Sequence, residues 1–268
     1  MSETLQRERD SDSCRILVLA SLTYLVWVIV TYLLEGRILT LLRPEAVIDR
    51  TAYTLIANIL IGIILALLVI RKAERTRLIS LESAGFRPLK RTIIAVIIAF
   101  LGGLAILLIQ HHGAPNLVVL LNVYAQVLTV TIAEIVICWG MIGSITEGTL
   151  SKKGRIIAIA GGILIASVLF GLYHIGHSPP FNQAGMILLL SFIGIVTSLV
   201  YFVGRDIYAT IAFHNFLGCI GVIQALEAAG SLPLYEKPLL PVLGMAAISV
   251  AVFITIDFRF IRQGSQHA

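Results

Sequence analysis

Residues 117–142 read LVVLLNVYAQVLTVTIAEIVICWGMI, an apolar run whose single charged side chain is Glu134. Crossing the hydrocarbon core of a bilayer takes about 20 predominantly apolar residues. Seven further runs are similarly apolar: 15–34, 52–70, 92–110, 155–174, 185–203, 207–226 and 239–256. The predicted fold is therefore all-α, a polytopic integral membrane bundle of about eight transmembrane helices.

Composition agrees. The chain is 58% hydrophobic and 13% charged, against about 45–50% and about 25% in soluble domains. No large soluble domain fits between the spans. The expected organisation is a polar N-terminal tail over 1–14, one membrane domain over 15–258 and a polar C-terminal tail over 259–268. Arg7, Arg9 and Arg15 precede the first run. Its length, and the lack of a small-residue cleavage site, read as an anchor rather than a signal peptide. The cysteines Cys14, Cys138 and Cys219 have no metal-ligand spacing and are expected to be buried apolar groups.

The net charge of +5 is gathered in loops. Arg71, Lys72, Arg75, Arg77, Arg87, Lys90 and Arg91 crowd the second, and Lys152, Lys153 and Arg155 the fourth. The loops 111–116 and 177–182 contain no lysine or arginine. The positive-inside rule then places both termini in the cytoplasm, and the expected location is the plasma membrane of a prokaryotic cell. The basic charge reads as contact with anionic membrane lipid. A nucleic-acid partner is not expected, because there is no separate basic domain or aromatic platform. Leu78, Ile79, Leu81 and Phe86 alternate with charges and predict a short amphipathic helix at the interface. The pairs Gly102–Gly103 and Gly161–Gly162 predict close helix approach.

An ionisable side chain in hydrocarbon is costly and usually marks a bundle interior or a wet cavity. Three stand out: Glu134, His174 and His214. Asn122, Gln126, Glu134 and Cys138 recur at spacings of four and eight, so they share one helix face. That stripe reads either as interhelical hydrogen bonding or as a wet cavity with Glu134 as a general base or proton carrier. In FGLYH, Phe170 and His174 lie one turn apart, and His177 follows nearly a turn later. A histidine closing a span also fits a helix cap. His214, with Asn215 beside it in IAFHNFLG, lies well inside the seventh run and also fits a packing histidine. Counting along antiparallel helices puts Glu134 and His174 at similar depth and His214 about a turn off level.

The pattern resembles the CAAX protease and bacteriocin-processing (CPBP, or Abi) membrane proteins, which include the type II CAAX prenyl endopeptidases. That family carries EExxxRG, FxxxH and HxxxN or HxxxD on successive helices. Here EIVICWG (Glu134 to Gly140), FGLYH (Phe170 to His174) and HNFLG (His214 to Gly218) fill the three places, and AGFRP precedes the third span. The likeness covers about residues 75–225. It departs at Ile135, Trp139 and Gly218, where the family has glutamate, arginine and Asn or Asp. A rival register pairs Ala133 with Glu134 and puts Cys138 on the arginine. It loses the activating glutamate and implies an inert protein, whereas the first register keeps Gly140.

The resemblance implies proteolysis inside the bilayer. Glu134 would activate a water, and His174 and His214 would position it or stabilise the oxyanion. Phe170, Asn215, Gln126 and Trp139 would support them. If a zinc ion is held, the resemblance gives it Glu134, His174 and His214 as ligands. Two readings remain open. One is an intramembrane endopeptidase acting on a membrane-associated or lipidated peptide. The other is an inactive member of the same fold, a scaffold binding another integral membrane protein or a lipid-like ligand. The first requires the three residues to converge beside a lateral opening. The second allows Trp139 to plug that space.

Overall fold

The computed structural model describes residues 3–43, 45–110 and 116–262, excepting the side chains of 3–11 and 42. Eight helices among these residues are long and apolar enough to cross a membrane. They are α1 (Asp12–Gly36), α2 (Val47–Arg75), α3 (Leu89–Gln110), α4 (Leu117–Lys153), α5 (Arg155–Gly176), α6 (Ala184–Gly204), α7 (Ile207–Ala228) and α8 (Leu240–Arg262). There is no strand among the described residues. The chain is an all-helical integral membrane protein. A backbone in lipid must satisfy its own hydrogen bonds, which helices do. Apolar side chains such as Ile98, Leu188 and Val203 stand well exposed on the outer faces, where a bilayer would cover them.

The segment expected as a polar tail is helical from Glu3 onward and continues into α1. At the other end α8 runs to Arg262, and residues 263–268 lie outside the described part. Cys14 is exposed, contrary to expectation, while Cys138 and Cys219 are buried.

The central helix is α4, the most buried of the eight. It packs against α2, α5, α7 and α8, while α3 lies along α7 and α5 pairs with α6. The α4–α5 link is a single residue, Gly154, at φ +106, a backbone that glycine adopts without strain. Asn116 caps α4 by accepting from the Val118 amide at 2.9 Å. Asp206 caps α7 through the Ala209 amide at 2.9 Å. Immediately after Glu134, α4 changes from α to π winding over Ile135–Gly143, a form frequent at functional sites.

Residues 76–88 do not form the predicted amphipathic helix. They fold as a non-helical strap at the basic end of the bundle, with Ile79, Ala84 and Phe86 buried. The apolar side chains cover protein rather than lipid because AGFRP docks on the α6–α7 link. Gly85 turns at φ +88 and accepts from the Ile207 amide at 2.9 Å, and Arg87 Nε donates to Arg205 O at 3.0 Å. Of the paired glycines, Gly103, Gly161 and Gly162 face close neighbours, and Gly102 faces open space.

Candidate active site

The polar stripe of α4 divides by depth. Nearest the end away from the basic loops, Asn122 donates to Tyr235 O and Lys237 O at 2.9 and 2.7 Å. One turn on, Gln126 bonds Arg50, the Tyr235 hydroxyl and Leu41 O. These hydrogen bonds tie Arg50 of α2 and the loop residues Leu41, Tyr235 and Lys237 to α4. Gln126 is fully engaged there, two turns from Glu134, and is not part of its surroundings.

Glu134 itself meets both histidines. Its Oε1 lies 3.7 Å from His174 Nε2 and its Oε2 3.5 Å from His214 Nε2. His214 is level with the carboxylate and not a turn away as the count predicted. α4 runs past the α6–α7 link, which lies level with Ser144 and Glu147 through the Tyr201 and Arg205 contacts, so Glu134 and His214 stand similar distances from that level. The two imidazoles are held alike. His174 Nδ1 donates to Phe170 O at 2.9 Å, since a carbonyl can only accept. The Thr197 hydroxyl donates to Ile193 O at 3.0 Å and so accepts from His214 Nδ1 at 2.7 Å. Each ring therefore turns Nε2 toward Glu134. Separations of 3.5 and 3.7 Å exceed ordinary hydrogen bonds and leave the carboxylate and both Nε2 atoms free to meet a water on the cavity side. A carboxylate between two such nitrogens can activate water, and an imidazole that takes up a proton at Nε2 becomes a donor to the charge that develops on its attack.

Aromatic rings fix the histidines further. The Phe170 ring stands edge-on to His174 and to His214, each at 4.9 Å between centroids. Trp139 packs 5.7 Å from the His214 ring and donates from Nε1 to Ser198 Oγ at 2.7 Å. It backs the histidine without plugging the space. Asn215 turns away, donating to Tyr124 O at 3.2 Å. One residue along a helix is about 100° of rotation, so a neighbour of His214 looks elsewhere. Neither Asn215 nor Gln126 supports the site.

In front of Glu134, His174 and His214 lies a cavity of about 400 Å³. Its walls include Val127 and Val130 of α4, Met186, Leu189 and Ile193 of α6, and Leu217, Gly218 and Gly221 of α7. The wall residues of α6 and α7 lie away from the two-residue link that joins these helices. The far halves of both helices therefore contribute to the cavity wall. Gly218 faces Val127, and a Cβ there would stand 2.6 Å from Val127 Cγ1. Val127 occupies the space that a side chain at position 218 would take.

Two participants escaped the sequence reading in part or whole. His177 also lines the cavity and stacks on His174, with centroids 5.1 Å apart. Its Nδ1 stands 3.0 Å from Oε2 of Glu35, which is fully buried at the end of α1. Glu35 also accepts from the Ser178 amide at 2.9 Å and the Ser178 hydroxyl at 2.6 Å. The approach depends on Gly36, where a Cβ would lie 2.3 Å from Gly176 O. In sequence, Glu35 is a charge at the edge of a span, which any interfacial acid matches.

No curated protein and no solved structure matches the chain. A family model does match, that of the type II CAAX prenyl endopeptidase Rce1-like proteins, over residues 115–220. The matched segment spans α4 to the middle of α7, including Glu134, His174 and His214. Residues 115–220 of this membrane protein thus match an Rce1-like model of the CAAX protease (CPBP) family, the family that its three motifs resemble.

Proposed function

We propose that the protein is an intramembrane endopeptidase that cleaves a membrane-associated or lipidated peptide. The observation that carries this reading is the convergence of Glu134 with His174 and His214 at the wall of one cavity. Glu134 takes a proton from a water, which attacks the scissile carbonyl, and returns that proton to the leaving amine as the peptide bond breaks. His174 and His214 accept from that water, and an imidazole protonated at Nε2 donates to the oxyanion as it forms. Phe170 keeps both rings in place.

Substrate enters sideways between α6 and α7. Leu189 and Ile193 on one arm and Leu217 and Gly221 on the other give that entry an apolar lining, which suits a lipid chain or an apolar segment. By the distribution of basic loops, both termini and the strap lie in the cytoplasm. The membrane domain is expected to act as one unit in a prokaryotic plasma membrane.

The scaffold reading draws on Ile135, Trp139 and Gly218, which remove polar partners found in the family. Against it, Trp139 is drawn aside by Ser198 and the cavity stays open. The test is quantitative peptidomics of membranes and medium, comparing wild type with Glu134→Gln at matched expression. The peptidase reading expects an uncut precursor to accumulate and its product to vanish. Identical profiles, with a membrane complex lost only on full deletion, would leave the scaffold.

A further inference from the structure

We propose that Glu134, His174 and His177 form a binding site for one divalent transition-metal ion of the zinc class, with Glu35 orienting His177. This uses the cavity of the proposed peptidase but does not rest on cleavage, and with the ion in place Glu134 and His174 would serve as ligands instead of as free base and water holder.

Three observations converge. First, one ligand atom from each of Glu134, His174 and His177 lies within 4.8 Å of the others, and all three residues are buried. Bonds of about 2.0–2.1 Å in a tetrahedron put neighbouring ligand atoms about 3.3 Å apart. The 3.7 Å between Glu134 Oε1 and His174 Nε2 is already close to that spacing.

Second, each imidazole is prepared on its far side. A metal-bound histidine usually gives its other nitrogen to a carboxylate or a carbonyl. His174 Nδ1 is held by Phe170 O, and His177 Nδ1 faces Glu35 Oε2 at 3.0 Å. His177 is 4% exposed and neither of its ring nitrogens makes a hydrogen bond, so Nδ1 has only its ion-pair contact with Glu35. Buried polar atoms are rarely left so.

Third, the charges need a cation. Glu134 and Glu35 are two buried carboxylates whose ion-pair contacts, among the described residues, are all to histidines. Buried charges are normally paired or coordinate metals. A dication balances two carboxylates while leaving the imidazoles neutral, as ligands must be.

Two histidines and a carboxylate leave a fourth position open, the ligand pattern of catalytic zinc, which acts as a Lewis acid. His214 approaches the other carboxylate oxygen, Oε2, and stays outside this ligand set. The site therefore differs from the Glu134, His174 and His214 set that the family motifs imply.

The test titrates Co2+, then Zn2+, into chelator-treated full-length protein in detergent, purified without a polyhistidine tag. The readouts are visible Co2+ absorption and bound metal per chain. One equivalent with a four-coordinate spectrum is expected for wild type. His177→Ala should weaken binding at least 100-fold and Glu35→Gln about 10–100-fold. His214→Ala should bind within about threefold of wild type. Where the alanine variant of His177 does not fold, His177→Gln takes its place. Absence of saturable binding by wild type, or wild-type binding by the His177 variants, overturns the proposal. Loss on His214→Ala equal to that of the His177 variants assigns the metal to the motif set instead. A metal-free protein that still loses its cleavage products in the Glu134→Gln comparison would defeat this site and leave the peptidase standing.

Discussion

Replacing Thr197 tests the orientation of His214 without disturbing its neighbourhood. Thr197 is fully buried, and its hydroxyl accepts the His214 Nδ1 proton at 2.7 Å. Thr197→Val keeps the shape and removes the acceptor. A buried donor left unpaired costs about 1–3 kcal/mol. The imidazole relieves that cost by moving its proton to Nε2, which faces Glu134 Oε2 at 3.5 Å. The nitrogen offered to the water then changes from acceptor to donor. At about 1.4 kcal/mol per factor of ten, the penalty converts to a rate loss of roughly 5–150-fold. Thr197→Ser keeps the hydroxyl and removes one methyl group, which costs about 1 kcal/mol of stability and leaves the tautomer alone. The assays are initial rates on the precursor identified by peptidomics, thermal unfolding in detergent, and nitrogen-15 shifts of labelled histidine. Valine should lose rate and change tautomer, while serine should lose only stability. Equal rate losses in the two variants, or an unchanged tautomer in the valine protein, would refute this account of His214.

Other expected outcomes concern the frame of the site. Gly36→Ala places a Cβ 2.3 Å from Gly176 O, so backbone must move. A loss of roughly 1–3 kcal/mol in unfolding free energy should accompany weakened Co2+ binding, because Glu35 moves with Gly36. Ile135→Glu and Trp139→Arg, both at fully buried positions, should each destabilise by about 3–5 kcal/mol as unpaired buried charges. A double-mutant cycle in denaturant should find the pair less harmful than the sum. Asp206→Ala removes the α7 cap and the acceptor of the Thr92 hydroxyl at 2.6 Å. Unfolding experiments should show at least the ~1 kcal/mol of a lost cap, with Asp206→Asn milder.

The spans and the three motif residues were legible because an ionisable side chain in an apolar run conflicts with its surroundings. Glu134, His174 and His214 each made such a conflict, and the fold brings all three together. Periodicity reports which face a residue occupies and not how deep it lies. Gln126 shares the face of Glu134 yet belongs to a separate network with Arg50 and Tyr235. Asn215 failed for the complementary reason, sharing the depth of His214 but not its face. The strap at 76–88 was misread because alternating apolar residues fit a lipid surface as well as a protein one. The choice depended on the docking of Gly85 and Arg87 to residues far away in sequence. Thr197 and Glu35 left no local signal, since a hydroxyl in a span and an acid at its edge are both ordinary.

Glu35 lies outside the segment 115–220 that carries all three motifs. That segment is therefore not self-sufficient. A version of the protein that begins after α1, or one grafted onto a different leading helix, would retain every recognisable motif. It would nonetheless lose the carboxylate that faces His177. Inheritance of the motifs and inheritance of the shell proposed for the metal are separable in this fold, and the first helix is where they part.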